Sequence, residues 1–438
     1  MSFTRTLRAV GGAVVAGALL FGTAPVASAD QIRNAQWPLK AFKADEIWKV
    51  STGKGVTVAV IDSGVQSQHP DLKGNVLPGK DFIDGGDSAE PKDGDTHGTQ
   101  MASEIAGHGH GPGGESGVKG LAPDAKILPL RENNVKSGGF GPSIRYAVDH
   151  GASVINVSMG NPTRSAEDEK AIAYALKHDV LIVAASGNNG KGAEDIAYPG
   201  SYPGVLTVGG VQNTGEIWSG SNYGPPVLLT APAVDIVSAG DSGTSKYQKG
   251  TGTSDSAAYV SASAALLRAK FPDLTVGQIV NRLTKTAGLP SSAKGTALPD
   301  AHYGYGYIQP LAALTRDIPA GPKNGPLKMP EGQASSAGAG DQAASAGSNG
   351  SDSAVPAPKQ GSWSPLFIAM LVGAGLVVVV VIVVIVMLVR KKGRRNGPPP
   401  GGPGGFGGPG GPGGYAPYPQ GMPQQPGAPG SYPPPPGR

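Results

Sequence analysis

Cysteine is absent from the 438 residues. That single absence excludes a disulfide framework, a thiolate metal site and a Cys nucleophile. Stability must therefore come from a packed core, and a domain of roughly 250–300 residues can bury about three quarters of its unfolded surface without covalent staples. An excess of one charge is also missing. Against 36 Lys and Arg stand 32 Asp and Glu, for a formal net charge of +4. The basic surplus is local, in Arg390, Lys391, Lys392, Arg394 and Arg395, so no nucleic-acid partner is called for. No carboxylate cluster is specific enough to nominate a calcium site, and no cofactor is expected. What is abundant is Gly (70) and Pro (41), much of it in the C-terminal tail.

Two segments address a membrane. Residues 1–29 carry Arg5 and Arg8, an apolar stretch over 10–21 and the small-residue site Ala27-Ser28-Ala29. That order is the order of a secretory signal, with Asp30 as the expected mature N-terminus. Residues 364–389 form the second segment, and 365–389 contain no charge. As a helix it reaches ~37 Å, enough to cross a hydrocarbon core of about 30 Å with some tilt. The basic cluster follows it, while Lys359 is the nearby charge on the other side. The positive-inside rule then puts residues 390–438 in the cytoplasm. The signal segment independently puts the mature N-terminus outside, so the expectation is a single-pass cell-membrane protein with an extracellular main domain. Residues 317–363 are rich in Ala, Ser, Gly, Gln and Pro and cannot offset their ordering entropy by burial, which predicts a disordered linker. The Gly/Pro tail reads as solvated chain or as a docking segment for a cytoplasmic partner.

Between these segments the pattern is globular. Apolar, β-rich runs at 56–61, 127–130, 154–157, 180–184 and 205–208 alternate with helical stretches. Ser165 followed by Asp168 is a capping signal before the apolar stretch 171–176, and 142–150 fits another helix. Near-continuous apolar strands alternating with helices predict an α/β domain with a mostly parallel sheet covered on both faces. Ligands bind such sheets beyond the carboxyl ends of the strands.

Chemically capable residues cluster at those ends. Asp62 follows the first strand directly, and Asn188 follows the run at 180–184 in Ser186-Gly187-Asn188-Asn189-Gly190. His97 and Ser254 stand in Gly-flanked segments that lead into helical runs at 101–106 and 257–268. A Ser hydroxyl needs a base within hydrogen-bond reach, and the base needs a carboxylate to fix its tautomer. Asp62, His97 and Ser254 supply those parts. Acyl transfer also needs donors for the developing oxyanion, which the Asn188 side chain and the Ser254 N–H can provide. Singly, each residue has an ordinary reading as a cap or turn residue. Four such residues, all at strand ends and helix starts, point to a hydrolase.

The motifs that carry these residues resemble those of the subtilisin-like (S8) serine proteases. They are Val58-Ala59-Val60-Ile61-Asp62-Ser63-Gly64, His97-Gly98-Thr99-Gln100-Met101-Ala102 and Gly252-Thr253-Ser254, in the order Asp, His, Ser. The resemblance covers roughly residues 45–310. It implies a three-layer α/β/α domain over 51–316 and a serine endopeptidase acting on peptide or protein substrates. It also implies that Ser158, Met159 and Gly160 pair with substrate backbone, that Ala185, Ser186 and Gly187 line one wall of the S1 pocket, and that Asn188 completes the oxyanion hole. The whole layout, with a short extension at 30–50, a linker and one membrane helix, is similar to that of the mycosins, membrane-anchored subtilases associated with type VII secretion. That similarity implies secretion components as partners. It also raises a second function, a structural scaffold in which cleavage is minor. The extension is too short for a folded inhibitory propeptide. The chain departs from the family pattern at Gln100, Ser103, Ala258 and Ala262. It departs also at Asp255, a carboxylate beside the nucleophile that is expected to raise the basicity of His97 and to disfavour acidic substrates.

Overall fold

In a computed structural model of the protein, residues 29–330 are described, except 93, 134–138 and 242 and the side chains of 29, 30, 241 and 243–246. The expected membrane helix at 364–389, the cytoplasmic tail and nearly all of the signal segment lie outside the described residues, as does the linker beyond 330. Among the described residues no helix is long and apolar enough to cross a membrane.

The chain opens with three short helices, α1 (Ala29–Ala35), α2 (Trp37–Phe42) and α3 (Ala44–Trp48). Strands β1 (Thr57–Asp62) and β2 (Lys80–Asp81) lead to helix α4 (His97–Ala106) and a hairpin of β3 (His108–His110) and β4 (Ser116–Lys119). Then follow β5 (Lys126–Arg131), α5 (Gly141–Asp149), β6 (Val154–Val157), α6 (Ala166–Lys177), β7 (Leu181–Ala185), β8 (Val205–Val211) and β9 (Val227–Pro232). A second hairpin, β10 (Ile236–Asp241) and β11 (Gly243–Gly250), precedes α7 (Thr253–Lys270), α8 (Val276–Thr286) and α9 (Pro310–Thr315).

Seven strands form one parallel sheet in the order β2-β5-β1-β6-β7-β8-β9. β6 is buried at all four positions and β8 at all seven, as strands covered on both faces must be. Helices α4 and α7 pack together against the sheet, as do α5 and α6. After β1 the sheet grows first on one side, to β5, and then on the other, to β6. β1 is therefore where the strand order reverses, and the crevice beyond its carboxyl end is the expected ligand position. Asp62 is the last residue of β1.

The five predicted runs are β1, β5, β6, β7 and β8, displaced by a residue at some ends, with β8 running three residues further than predicted. Both site helices begin four residues earlier than their apolar runs suggest, at His97 and Thr253. The reason is tertiary burial. In α7 every residue from Thr253 to Arg268 is buried, so the helix has no polar face to generate a period, and its small polar residues are core residues.

Both flanks of the predicted 51–316 domain need correction. The extension at 30–50 is part of the core. Gln36 exchanges two hydrogen bonds with the Lys119 backbone, at 2.9 and 3.0 Å. The Trp37 and Trp48 indoles donate to Val234 O and Leu121 O at 2.9 and 3.0 Å, and Ile47 is fully buried. At the other flank, described residues assigned above to the linker from 317 onward are packed. Arg282 and Asn281 of α8 donate to the carbonyls of Arg316, Ile318, Pro319 and Ala320, and Leu327 is buried. Low apolar content hid this, because backbone carbonyls rather than side chains supply the contacts.

Asp168 joins α5 to α6. Its buried carboxylate accepts from the Phe140 and Gly141 N–H groups at 2.8 and 2.7 Å, at the start of α5 where donors lack helical partners. Ser165 caps α6 by accepting from Asp168 N. Asp168→Ala should lower the unfolding free energy by about 2–3 kcal/mol, since bonds to a charged acceptor are lost and two donors are left buried. Urea unfolding followed by circular dichroism measures it.

Candidate active site

Asp62 and His97 meet because two backbones run unusually close. A Cβ on Gly98 would stand 2.3 Å from Gly64 O and 3.0 Å from the Asp62 Cβ. Only glycine lets the first turn of α4 approach the end of β1 in this way. Gly98 N–H donates to Ser63 Oγ at 3.2 Å and fixes the approach. The result is a 2.8 Å contact between His97 Nδ1 and Asp62 Oδ1, an oxygen that also accepts from Ser63 N–H at 2.8 Å. Asp62 is 1% exposed and the imidazole 37%. A carboxylate acceptor puts the proton on Nδ1 and leaves Nε2 free to accept once the ring is neutral. The charge of Asp62, with its hydrogen bond and the weaker fields of Asp255 and Asp95, outweighs burial and raises the His97 pKa from 6.5 to about 9.

Ser254 stands in the first turn of α7, after Gly252 and Thr253. At that position its N–H has no intrahelical partner. Its hydroxyl donates to Ser158 O at 3.2 Å, not to the imidazole. The Ser158 hydroxyl in turn donates to Ser254 O at 3.2 Å and accepts from Asn156 Nδ2 at 2.9 Å. Rotation about one side-chain bond frees the Ser254 hydroxyl, and catalytic hydrogen bonds are commonly loose before substrate arrives.

Asn188 is aimed by Thr253. The Thr253 N–H and Oγ1–H both donate to Asn188 Oδ1, each at 2.9 Å. With its oxygen engaged, the carboxamide has its two N–H donors left to offer. Thr253 Oγ1 also accepts from Gly187 N–H at 3.0 Å. Gly187 has φ +108°, and a Cβ there would stand 2.5 Å from Asn222 Nδ2. Residue types alone nominated Asn188 but missed Thr253, although it lies inside the serine motif.

The other expected binding residues differ in their surroundings. Ser158, Met159 and Gly160 follow β6 as irregular chain, increasingly exposed in that order. Ala185 ends β7 and is partly exposed. Ser186 is fully buried, with its hydroxyl on Asn222 O at 3.0 Å, so any contribution to a pocket wall comes from its backbone. Asp255 is 3% exposed. It lies beneath the surface, so any effect on a substrate charge acts through its field rather than by contact.

Elsewhere, a cavity of about 510 Å³ opens between Trp37, Phe42, Tyr307 and Leu311 and contains none of these residues. A second imidazole–carboxylate contact joins His110 Nδ1 to Asp71 Oδ1 at 2.6 Å, with the Tyr247 hydroxyl 3.5 Å from the same nitrogen. Among the described residues no three His, Asp or Glu side chains converge as metal ligands would.

With this geometry established, comparison with known proteins is decisive. The family model described as "Subtilase family" matches residues 53–306. The chain belongs to the subtilase family. Mycosin-1 of Mycobacterium tuberculosis is 37% identical over 338 residues, which is 64% of this chain and 73% of the relative. The major intracellular serine protease of Bacillus subtilis is 36% identical over 241 residues, 52% of this chain and 74% of the relative. A solved structure of the serine protease MycP1 superposes with a TM-score of 0.55 at 32% identity, covering 64% of this chain and 88% of its own. This subtilase is a serine endopeptidase with the subtilisin-like α/β fold.

The raised His97 pKa makes a prediction with a definite sign. Pairing with Asp62 stabilises the folded imidazolium, so its contribution to stability is complete below 6.5 and is lost as the pH rises through about 9. In a histidine NMR titration of the purified protein, the His97 midpoint should lie near 9. It should fall toward the ordinary value in Asp62→Asn.

Proposed function

We propose that this subtilase hydrolyses peptide bonds through an acyl-enzyme on Ser254. Ser254 Oγ attacks the scissile carbonyl carbon as His97 Nε2 takes the hydroxyl proton, with the imidazole held by Asp62 through Nδ1–H. The tetrahedral oxyanion takes hydrogen bonds from Ser254 N–H and Asn188 Nδ2, a donor type whose removal costs ~10²–10³ in turnover. The imidazolium then gives its proton to the leaving amine. Water activated by the same imidazole cleaves the ester and restores the serine. Ser158, Met159 and Gly160 offer backbone groups for an extended peptide, a mode in which main-chain hydrogen bonds carry affinity. The observation that carries this reading is the 2.8 Å Asp62–His97 contact on the helix packed against the one that presents Ser254.

The peptidase domain is further proposed to stand outside the cell, exported by residues 1–29 and held by a membrane helix at 364–389, with 390–438 inside. The charge asymmetry around that span supports the orientation. The MycP1 structure is described as an essential component of the type VII (ESX-1) secretion system. By similarity to it, the substrates or partners proposed here belong to such a system. A scaffold role is the second reading. The observation favouring it is the resting state itself, with Ser254 bonded to Ser158 and the imidazole holding its proton at neutral pH.

Fluorophosphonate labelling of the purified protein, read by peptide mass, should place one adduct on Ser254 and give none in Ser254→Ala. An adduct elsewhere, or no adduct above neutral pH, contradicts the nucleophile. In cells, a secretion defect in Ser254→Ala as large as in a deletion strain marks proteolysis as the essential role. Secretion that fails only in the deletion marks the scaffold.

A further inference from the structure

The interface between α4 and α7 holds a polar group that the proposed chemistry does not use. Glu104 lies two turns beyond His97 on α4 and is fully buried, and its carboxyl oxygens meet no donor group other than the Asp255 carboxyl. Asp255, next to Ser254 on α7, is 3% exposed, and its Oδ1 is likewise unpartnered. Tyr259, one turn further along α7, brings a buried hydroxyl, also without a partner. The Phe42 ring meets the Tyr259 ring edge-on at 5.7 Å. Glu104 and Asp255 bear on each other, and both bear on Tyr259.

Two carboxylates cannot hydrogen-bond to each other, because both only accept. Two neighbouring buried negative charges are prohibitively costly where one cation, the His97 imidazolium, bears on one of them. A single proton removes both difficulties. We propose that Glu104 and Asp255 share one proton across the α4–α7 interface, and that the pair serves as a positioning group for His97, acting through its remaining charge. This rests on the reading of His97 as the base.

The surroundings favour Glu104 as the residue that keeps the proton. Burial and the neighbouring Asp255 push its pKa well above the usual carboxylate range. Burial pushes Asp255 up to about 6, held back by its bond with Glu104 and by the His97 charge. Asp255 stands in the first turn of α7, where the helix N-terminus favours negative charge, and it also faces the His97 charge, so it is the member that keeps the charge. Of the charged groups on the elements packed around the pair, His97 of α4 is the one that bears on Asp255 besides Glu104. Asp62 of β1, Asp95 and Asp255 bear on His97. Tyr259 of α7 stays neutral because burial raises it. No basic side chain of β4, β5, β8, β9 or β10 contributes to the pair among the described residues.

Infrared difference spectroscopy on the full-length protein at neutral pH tests the sharing without reference to activity. A protonated-carboxyl carbonyl stretch is expected in the wild type, absent in Glu104→Gln and retained in Asp255→Asn. No such band in the wild type overturns the proposal, whether or not the variants fold. The His97 NMR midpoint tests the positioning. It should fall by roughly half a unit to one unit in Asp255→Asn, which removes a nearby negative charge. It should hold in Glu104→Gln, whose carboxamide donates to Asp255 as the protonated acid does. Equal shifts in the two variants, or none in Asp255→Asn, overturn the positioning role. If the band and shifts appear while Ser254 fails to label, the catalytic reading has failed and the pair has not.

Discussion

The contact between Asp62 and His97 is the constraint on which the rest of the site depends. It joins the last residue of a central strand to the first residue of a helix that packs on the sheet. Gly98 makes it possible, because any side chain there would occupy the space of the Gly64 carbonyl. Once α4 is seated against β1, its packing on α7 brings the imidazole toward the helix turn that carries Ser254. The glycines and the strand-order reversal at β1 therefore act together. One brings backbones close, and the other opens the crevice in which their side chains meet.

The electrostatics of this crevice are dominated by acids. Asp62 is buried beneath the imidazole, Asp255 is buried next to Ser254 on α7, and Glu104 is buried on α4, which packs against α7. Asp62, Asp255 and Asp95 favour a protonated His97, while the Ser254 hydroxyl rests on the Ser158 carbonyl. The oxyanion side is set independently. Thr253 holds the Asn188 oxygen, and Gly187 turns the chain so that Thr253 can accept from its N–H.

Much of this was legible in the sequence, for identifiable reasons. The strands β1, β5, β6, β7 and β8 are buried on both faces and so read as unbroken apolar runs. Asp62, His97, Asn188 and Ser254 stood out because Gly-rich punctuation marks strand ends and helix starts. The hairpin β10–β11 and strand β9 were not read from the sequence, although β9 is six residues long and buried throughout. Glu104 was invisible for a different reason. A Glu in a helix ordinarily faces water, and only the packing of α4 on α7 buries it. Thr253 was read as part of a motif, but its bond to Asn188 spans 65 residues and exists only in the fold. The binding of 318–323 to α8 escaped notice because it runs through carbonyls, which composition does not report.

A crystal structure of the protein with a peptide boronic acid tests the central claim most directly. The account predicts a boron–oxygen bond to Ser254, with the hydroxyl oxygen drawn away from Ser158 O. One boronate oxygen should lie within hydrogen-bond distance of both Ser254 N and Asn188 Nδ2, and the His97 Nε2 should be in contact with the adduct. A boronate bound elsewhere, or one on Ser254 with His97 out of reach, would contradict it.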